Sequence, residues 1–230
     1  IIGALGGTPD PLLDAIKAGK IRGAVGIVGC NNPKIKHDYG HVTLTKRLIE
    51  NDVLVVDTGC VSVANAKAGF KVPEAIEMAG PGLKEVCGSL GIPPVLHLGS
   101  CVDNSRILLA ATEVVKAGGL GNDLCDLPVA GSAPEWMSEK AISIGQYFVT
   151  SGVYTVFGYM LPTSGAPVFH DYMSKELENI YGGMWDVEAD PIKHAHMMIA
   201  HIDKKRKELG IDRARERVLM DMADRQALQA

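Results

Sequence analysis

The chain has no apolar run near the roughly 20 residues that a membrane-spanning helix needs. Its 47% hydrophobic content over 230 residues therefore has to fold into a core of its own, enough for one large domain. It has no excess of positive charge. Lysine and arginine number 23 against 27 aspartate and glutamate, a net charge of −4, which removes the electrostatic ground for nucleic acid or an anionic membrane as partner. It begins Ile1-Ile2-Gly3, without a methionine and without the basic and then apolar regions of a secretory signal. That opening reads as a processed or excised piece whose partner domains lie upstream in a longer parent. No Cys-x-x-Cys pair occurs, which sets aside zinc ribbons and bacterial ferredoxin sites. The dinucleotide fingerprint Gly-x-Gly-x-x-Gly is also missing. Gly23, Gly26 and Gly29 recur at intervals of three, within and at the end of a strand rather than in a turn opening a helix. No internal repeat, low-complexity tract or clear linker breaks the chain.

What is present is a strict alternation of short apolar runs with helix-like segments. Strands are expected at about 24–28, 53–56, 94–98, 127–130, 154–157 and 184–187. Helices are expected from Pro9 to Ile16 with Thr8 as cap, then at about 41–50, 62–68, 104–117, 134–150 and 191–209. A Pro/Gly-rich loop fills 161–167. Alternating strands and helices imply an α/β fold: a doubly wound, mostly parallel, Rossmann-like sheet with right-handed crossovers. We read residues 1–210 as that domain and 211–230 as a charged, helical C-terminal tail.

Five cysteines is an odd number, and thiols without a secretory signal point to a reducing, cytoplasmic compartment rather than a disulfide framework. Three of them occupy one context. Cys30 ends Gly-Ala-Val-Gly-Ile-Val-Gly-Cys, Cys60 ends Val-Leu-Val-Val-Asp-Thr-Gly-Cys, and Cys101 ends Val-Leu-His-Leu-Gly-Ser-Cys. Each follows a strand and a glycine and precedes a helix. Parallel sheets align the carboxyl ends of their strands along one edge, where ligands bind. Three thiols delivered there can converge on one object, and helix N-termini favour the thiolate form. Small buried residues at strand ends explain one such cysteine easily and three poorly. Widely spaced thiolates suit an iron–sulfur type of cluster better than zinc.

Cys87 reads as a helix-face thiol in a core gap, and Cys125 has no clear place. His194, His196 and His201 read as ordinary surface of the last long helix, and His97 as a hydrogen-bonded core residue or a group behind Cys101. Lys140 forms an i, i+4, i+8 row with Trp136 and Ile144 on an expected helix. A lysine on a buried row is unusual, so we expect it to have a function.

These segments resemble the nickel–iron carbon monoxide dehydrogenases, in the C-terminal Rossmann-like domain of their catalytic subunit. The matching stretches are Gly26-Ile27-Val28-Gly29-Cys30-Asn31-Asn32-Pro33-Lys34, Asp57-Thr58-Gly59-Cys60, Leu98-Gly99-Ser100-Cys101-Val102-Asp103-Asn104-Ser105-Arg106, and Asp126-Leu127-Pro128-Val129-Ala130-Gly131 through to Lys140-Ala141. Hybrid-cluster proteins share the architecture, but Ala-Pro-Glu-Trp-Met-Ser-Glu-Lys at 133–140 looks like the dehydrogenase branch. The resemblance implies an Ni–Fe–S cluster (the C-cluster) with Cys30 and Cys60 on its irons, Cys101 on the nickel side, and Lys140 against bound CO₂. It implies reversible oxidation of CO with water to CO₂, two protons and two electrons. It also implies a homodimeric parent with a ferredoxin-like electron acceptor. The remaining ligands, a histidine among them, and the electron-exit [4Fe–4S] clusters would come from preceding domains, so this chain supplies half a site. The competing class is a non-catalytic iron–sulfur sensing or assembly module.

Overall fold

The computed structural model describes residues 7–212. The expected helical tail lies almost entirely outside them. The apolar runs form six strands: β1 (Gly23–Ile27), β2 (Val53–Asp57), β3 (Val95–His97), β4 (Val129–Ala133), β5 (Thr155–Phe157) and β6 (Trp185–Val187). All pair in parallel, in the order β3-β2-β1-β4-β5-β6. This is the doubly wound arrangement the alternation predicts. The strand order reverses between β1 and β4, which opens a crevice at their carboxyl ends.

A parallel sheet needs both faces covered. The helices are α1 (Asp10–Lys17), α2 (Tyr39–Glu50), α3 (Gly59–Lys67), α4 (Pro81–Leu90), α5 (Ser105–Ala117), α6 (Glu139–Thr150), α7 (Pro167–Lys175), α8 (Leu177–Tyr181) and α9 (Pro191–Glu208). Successive residues of β1 show which helix lies where. A Cβ added at Gly23 would meet Ile202 of α9, and one at Gly26 would meet Ile107 of α5 and Phe148 of α6. Helix α2 joins α9 on the first face, where Leu44, Leu48 and Ile49 share a core with Met198, Ile199 and Ile202. Phe148, Val149, Val153, Phe157 and Ile107 build the core of the second face.

Three boundaries differ from the sequence reading in ways that matter. Helix α6 starts at Glu139, not Pro134, so Trp136 lies off the helix and the row through Lys140 loses its first member. Helix α3 starts at Gly59, three residues early, which puts Cys60 in its first turn. Helices α7 and α8 occupy a stretch read as loop and connection. Helix α7 has no buried residue, so no apolar stripe announces it. The histidines of α9 also depart from expectation. His194 is buried, with Nε2 2.8 Å from Ser132 Oγ and Nδ1 2.9 Å from Glu188 O. His201 stacks on Tyr154 at 4.6 Å, and only His196 is exposed.

Candidate metal centre

The three expected cysteines leave three adjacent strands at one edge. After β1, the Val28 amide donates to Ser132 O (2.8 Å) and the Cys30 amide to Glu135 O (3.0 Å), so the β1 exit leans on the β4 exit. Gly29 makes this possible: its φ is 133°, and a Cβ there would sit 2.6 Å from Glu135 O. After β2, the Thr58 amide donates to Ile27 O and the Gly59 amide to Gly99 O, both at 3.3 Å. Gly59 has φ 63° and is the crossing point of all three loops. A Cβ on it would lie 3.3 Å from Cys101 Cβ and 3.6 Å from Gly29 O. The exits carrying Cys30, Cys60 and Cys101 therefore meet around one residue that has no side chain. Cys60 lies in the first turn of α3, at the helix N-terminus. Cys30 is half-buried, and Cys60 and Cys101 are exposed.

The Cys101 loop is braced from below. Asn104, 4% exposed, donates from Nδ2 to Cys101 O and accepts from Thr58 Oγ1. Asp103 accepts from the Ser100 amide (2.9 Å) and Ser100 Oγ (3.0 Å), and these bonds hold its carboxyl below the usual range. Lys140 is exposed rather than on a buried row, because α6 begins one residue before it. Its Nζ nevertheless lies 3.9 Å from Cys101 Sγ. The first turn of α6, which follows β4, thus brings an ammonium to the third thiol.

Two polar assemblies behind the cysteines carry no spacing signal in the sequence. Asp57, fully buried at the end of β2, accepts from Asn65 Nδ2 at 2.8 Å and pairs with Lys71. Lys71 also donates to Ser62 Oγ (2.7 Å), which lies 2.6 Å from His97 Nδ1. His97 is exposed at the end of β3, not a core histidine. The assembly ties α3, with Cys60, to the strand that leads to Cys101. Behind Cys30, the buried His41 of α2 has Nε2 2.8 Å from Cys30 O and 4.0 Å from the buried Glu135 carboxylate. Burial pushes the His41 imidazole below its ordinary pKa. Cys87 is buried on α4, as expected, and burial pushes its thiol up to about 11. Cys125 packs against Gly152 and Gly182, which lead into β5 and β6, away from the cysteine edge.

Among the described residues, no group of three or more His, Cys, Asp or Glu side chains could hold a metal ion by itself. The edge thiols share a place in the fold without forming a mononuclear site. Residues 5–192 match the Prismane/CO dehydrogenase family. The chain belongs to that family. It is 56% identical over 212 residues to carbon monoxide dehydrogenase 1 of Methanosarcina mazei, covering 92% of this chain and 33% of that protein. It is 42% identical over 210 residues to carbon monoxide dehydrogenase 1 of Carboxydothermus hydrogenoformans, covering 87% of this chain and 33% of that protein. A Ni-free crystal structure of carbon monoxide dehydrogenase from Thermococcus sp. AM4 superposes with a TM-score of 0.87 at 56% identity, over 91% of this chain and 33% of that one. The chain therefore spans about a third of the length of the family members it matches. Among the described residues no helix is long and apolar enough to cross a membrane.

Proposed function

We propose that the chain is the C-terminal part of the catalytic subunit of an anaerobic carbon monoxide dehydrogenase, and that Cys30, Cys60 and Cys101 contribute thiolates to its Ni–Fe–S cluster. The observation that carries this reading is the convergence at Gly59, with Lys140 Nζ 3.9 Å from Cys101 Sγ. The names of the relatives support the reaction, CO and water to CO₂, two protons and two electrons, reversibly.

The donor set fits such a cluster. Thiolates suit soft, low-valent nickel and iron. Three thiols that crowd one edge without closing on a single ion suit a polynuclear cluster, each metal taking one of them. Cys30 and Cys60 would hold irons and Cys101 the nickel side. The bound cluster would supply the two-electron redox chemistry. Lys140 would set an ammonium where CO₂ gains carboxylate charge, and it would deliver or take a proton there. A preorganised donor of this kind is worth about 3–4 kcal/mol in comparable sites. Its exposure on this chain means that the surface excluding water from it comes from elsewhere. The remaining ligands, a histidine among them, and the [4Fe–4S] clusters that lead electrons to a ferredoxin-like acceptor would come from the other two-thirds of a homodimeric, cytoplasmic protein. This chain alone should then show no CO oxidation with a viologen dye.

Two substitutions in the full-length protein separate the roles. Cys101→Ala removes a ligand, so nickel content and CO oxidation should fall together. Lys140→Ala removes only a charge, so metal content should hold while turnover drops by about 10²-fold or more. Arginine at 140 keeps the charge but not the shape or the proton, and should rescue poorly. Full CO oxidation by Lys140→Ala, or normal nickel in Cys101→Ala, overturns the assignment. Iron without nickel in the unsubstituted protein would favour a sensing or assembly module instead.

A further inference from the structure

We infer that His41 and Glu135 are positioning residues for Cys30: from two distant elements they fix both peptide groups of that cysteine, and so the angle at which its thiolate meets the cluster. The inference rests on the function proposed above. It is carried by the hydrogen bonds around Cys30 and by what they cost.

Cys30 lies in a loop between β1 and α2, where ladder bonds no longer hold the backbone. Its carbonyl oxygen can only accept, so His41 Nε2, 2.8 Å away, is the donor and carries the ring proton. Its amide donates to the main-chain carbonyl of Glu135 at 3.0 Å. Two residues on, the Asn32 amide donates to Glu135 Oε2 at 2.9 Å, and Asn32 Nδ2 donates to Trp136 O at 3.1 Å. The Cys30 loop is thus clamped from the first turn of α2 on one side and from the loop after β4 on the other.

The clamp is built at the expense of stability. His41 is 0% exposed and Glu135 1%. His41 Nδ1 and Glu135 Oε1 are buried without a hydrogen-bond partner. A buried polar atom left unmatched costs about 1–3 kcal/mol, and apolar residues of similar volume at such sites are often no worse for folding. The backbone also makes room for this residue. A Cβ at Gly40 would sit 3.3 Å from the carboxylate oxygen Glu135 Oε1, and one at Gly29 would sit 2.6 Å from the Glu135 main-chain carbonyl oxygen. A sequence selected for stability alone would fill this spot with a hydrophobic pair. What His41 and Glu135 supply, and leucine or phenylalanine would not, is a donor and an acceptor aimed at the Cys30–Asn32 peptides. Groups that orient a metal ligand in this way typically change metal affinity or activity by about 10–100-fold when removed.

The test uses the full-length protein with four substitutions. His41→Phe deletes the donor to Cys30 O, and Glu135→Leu deletes the side-chain acceptor of the Asn32 amide; His41→Gln and Glu135→Gln keep the relevant atom in place. The deleting pair should bind nickel and iron about 10-fold or more weakly, with a shifted or broadened electron paramagnetic resonance signal from whatever cluster remains. The conserving pair should keep near-normal metal content and signal. Melting of the metal-free protein should change little in His41→Phe, because loss of the unmatched Nδ1 offsets the loss of the donor to Cys30 O. Unchanged metal content and signal in the deleting pair overturn the inference. So does metal loss that tracks a fall in metal-free melting temperature in all four, which is the signature of a merely structural pair. An unsubstituted protein with neither metal nor resonance signal sinks the proposed function itself, and this inference with it.

Discussion

At the amino end of the sheet, Arg206 is 3% exposed and donates to the carbonyl oxygens of Ile16 (2.9 Å), Arg22 (3.1 Å) and Ile211 (3.1 Å). Arg22 beside it pairs with Asp203, and Asp52 accepts the Leu83 amide at 2.8 Å. Buried polar groups there close loops and satisfy backbone. At the carboxyl end the same sheet presents exposed thiols at Cys60 and Cys101, and buried atoms of Asn31, His41, Asn65 and Glu135 that lack a partner. The polar groups named at the amino end are matched, whereas the carboxyl end, beside matched groups such as Asp57 and Asn104, also keeps buried atoms without a partner. Sites under functional constraint are where local rules of stability are broken, so the unmatched atoms point to the same end of the sheet as the cysteines do.

The contrast can be broken most decisively at Arg206. Arg206→Ala strands several carbonyl oxygens at once and should lower the unfolding free energy of the chain by about 4 kcal/mol in urea. A loss under about 1 kcal/mol would mean that the amino end is no better anchored than the carboxyl end. The next effect is a pH dependence. Burial pushes His194 down to about 4 from its ordinary 6.5. Between those values the unfolded chain binds a proton that the folded chain refuses. Stability is therefore complete above pH 6.5 and falls as pH drops toward 4, by about 3 kcal/mol in all. His201, held near 4 by burial and by Lys205 and Lys204, adds in the same direction. His194→Gln should show a shallower decline between pH 7 and 4; an identical slope would remove His194 as its source. The smallest effect sharpens the comparison from the other side. Cys60→Ser and Cys101→Ser in the metal-free chain should change the unfolding free energy by no more than about 0.5 kcal/mol. A cost above 2 kcal/mol would show that these thiols are structural.

The sheet was legible because the buried parallel strands are short apolar runs, and β1, β2, β3 and β5 are followed within two residues by Gly29, Gly59, Gly99 and Gly158. Strand β4 blurred because its close packing demands small residues: a Cβ on Gly131 would lie 2.7 Å from Phe148 and from Thr155. Helix α7 was invisible because exposed Val168, Phe169 and Tyr172 leave it no inward stripe. At the site, Cys30, Cys60 and Cys101 repeat a local context and could be seen to share an edge. Lys140 was found for a reason that does not hold, since it is exposed. Its contact with Cys101 joins the first turn of α6 to the loop after β3 and exists only in three dimensions. His41 and Glu135 escaped notice for the same cause: nothing within α2 or the β4 exit marks them until the Cys30 loop is laid between them.

The pairing of β1 with β4 has a kinetic consequence. Ala24 lies beside Val129, so the central strand cannot be flanked on both sides until nearly the whole chain in between has been made and arranged. Closing so long a loop is slow, and parallel strands of high sequence separation are the last to form. Pairing of β1 with β2 and β3 joins nearer neighbours and needs no part of β4. A chain made only as far as Cys101 holds every residue of the Cys30, Cys60 and Cys101 edge, while Glu135 and Lys140 lie in sequence still to come. Metal captured at that stage would meet soft, loosely held thiols with no ammonium beside them. The β4 exit is thus the last part of this edge to be made, and its pairing with β1 is what brings Glu135 and Lys140 to the cysteines.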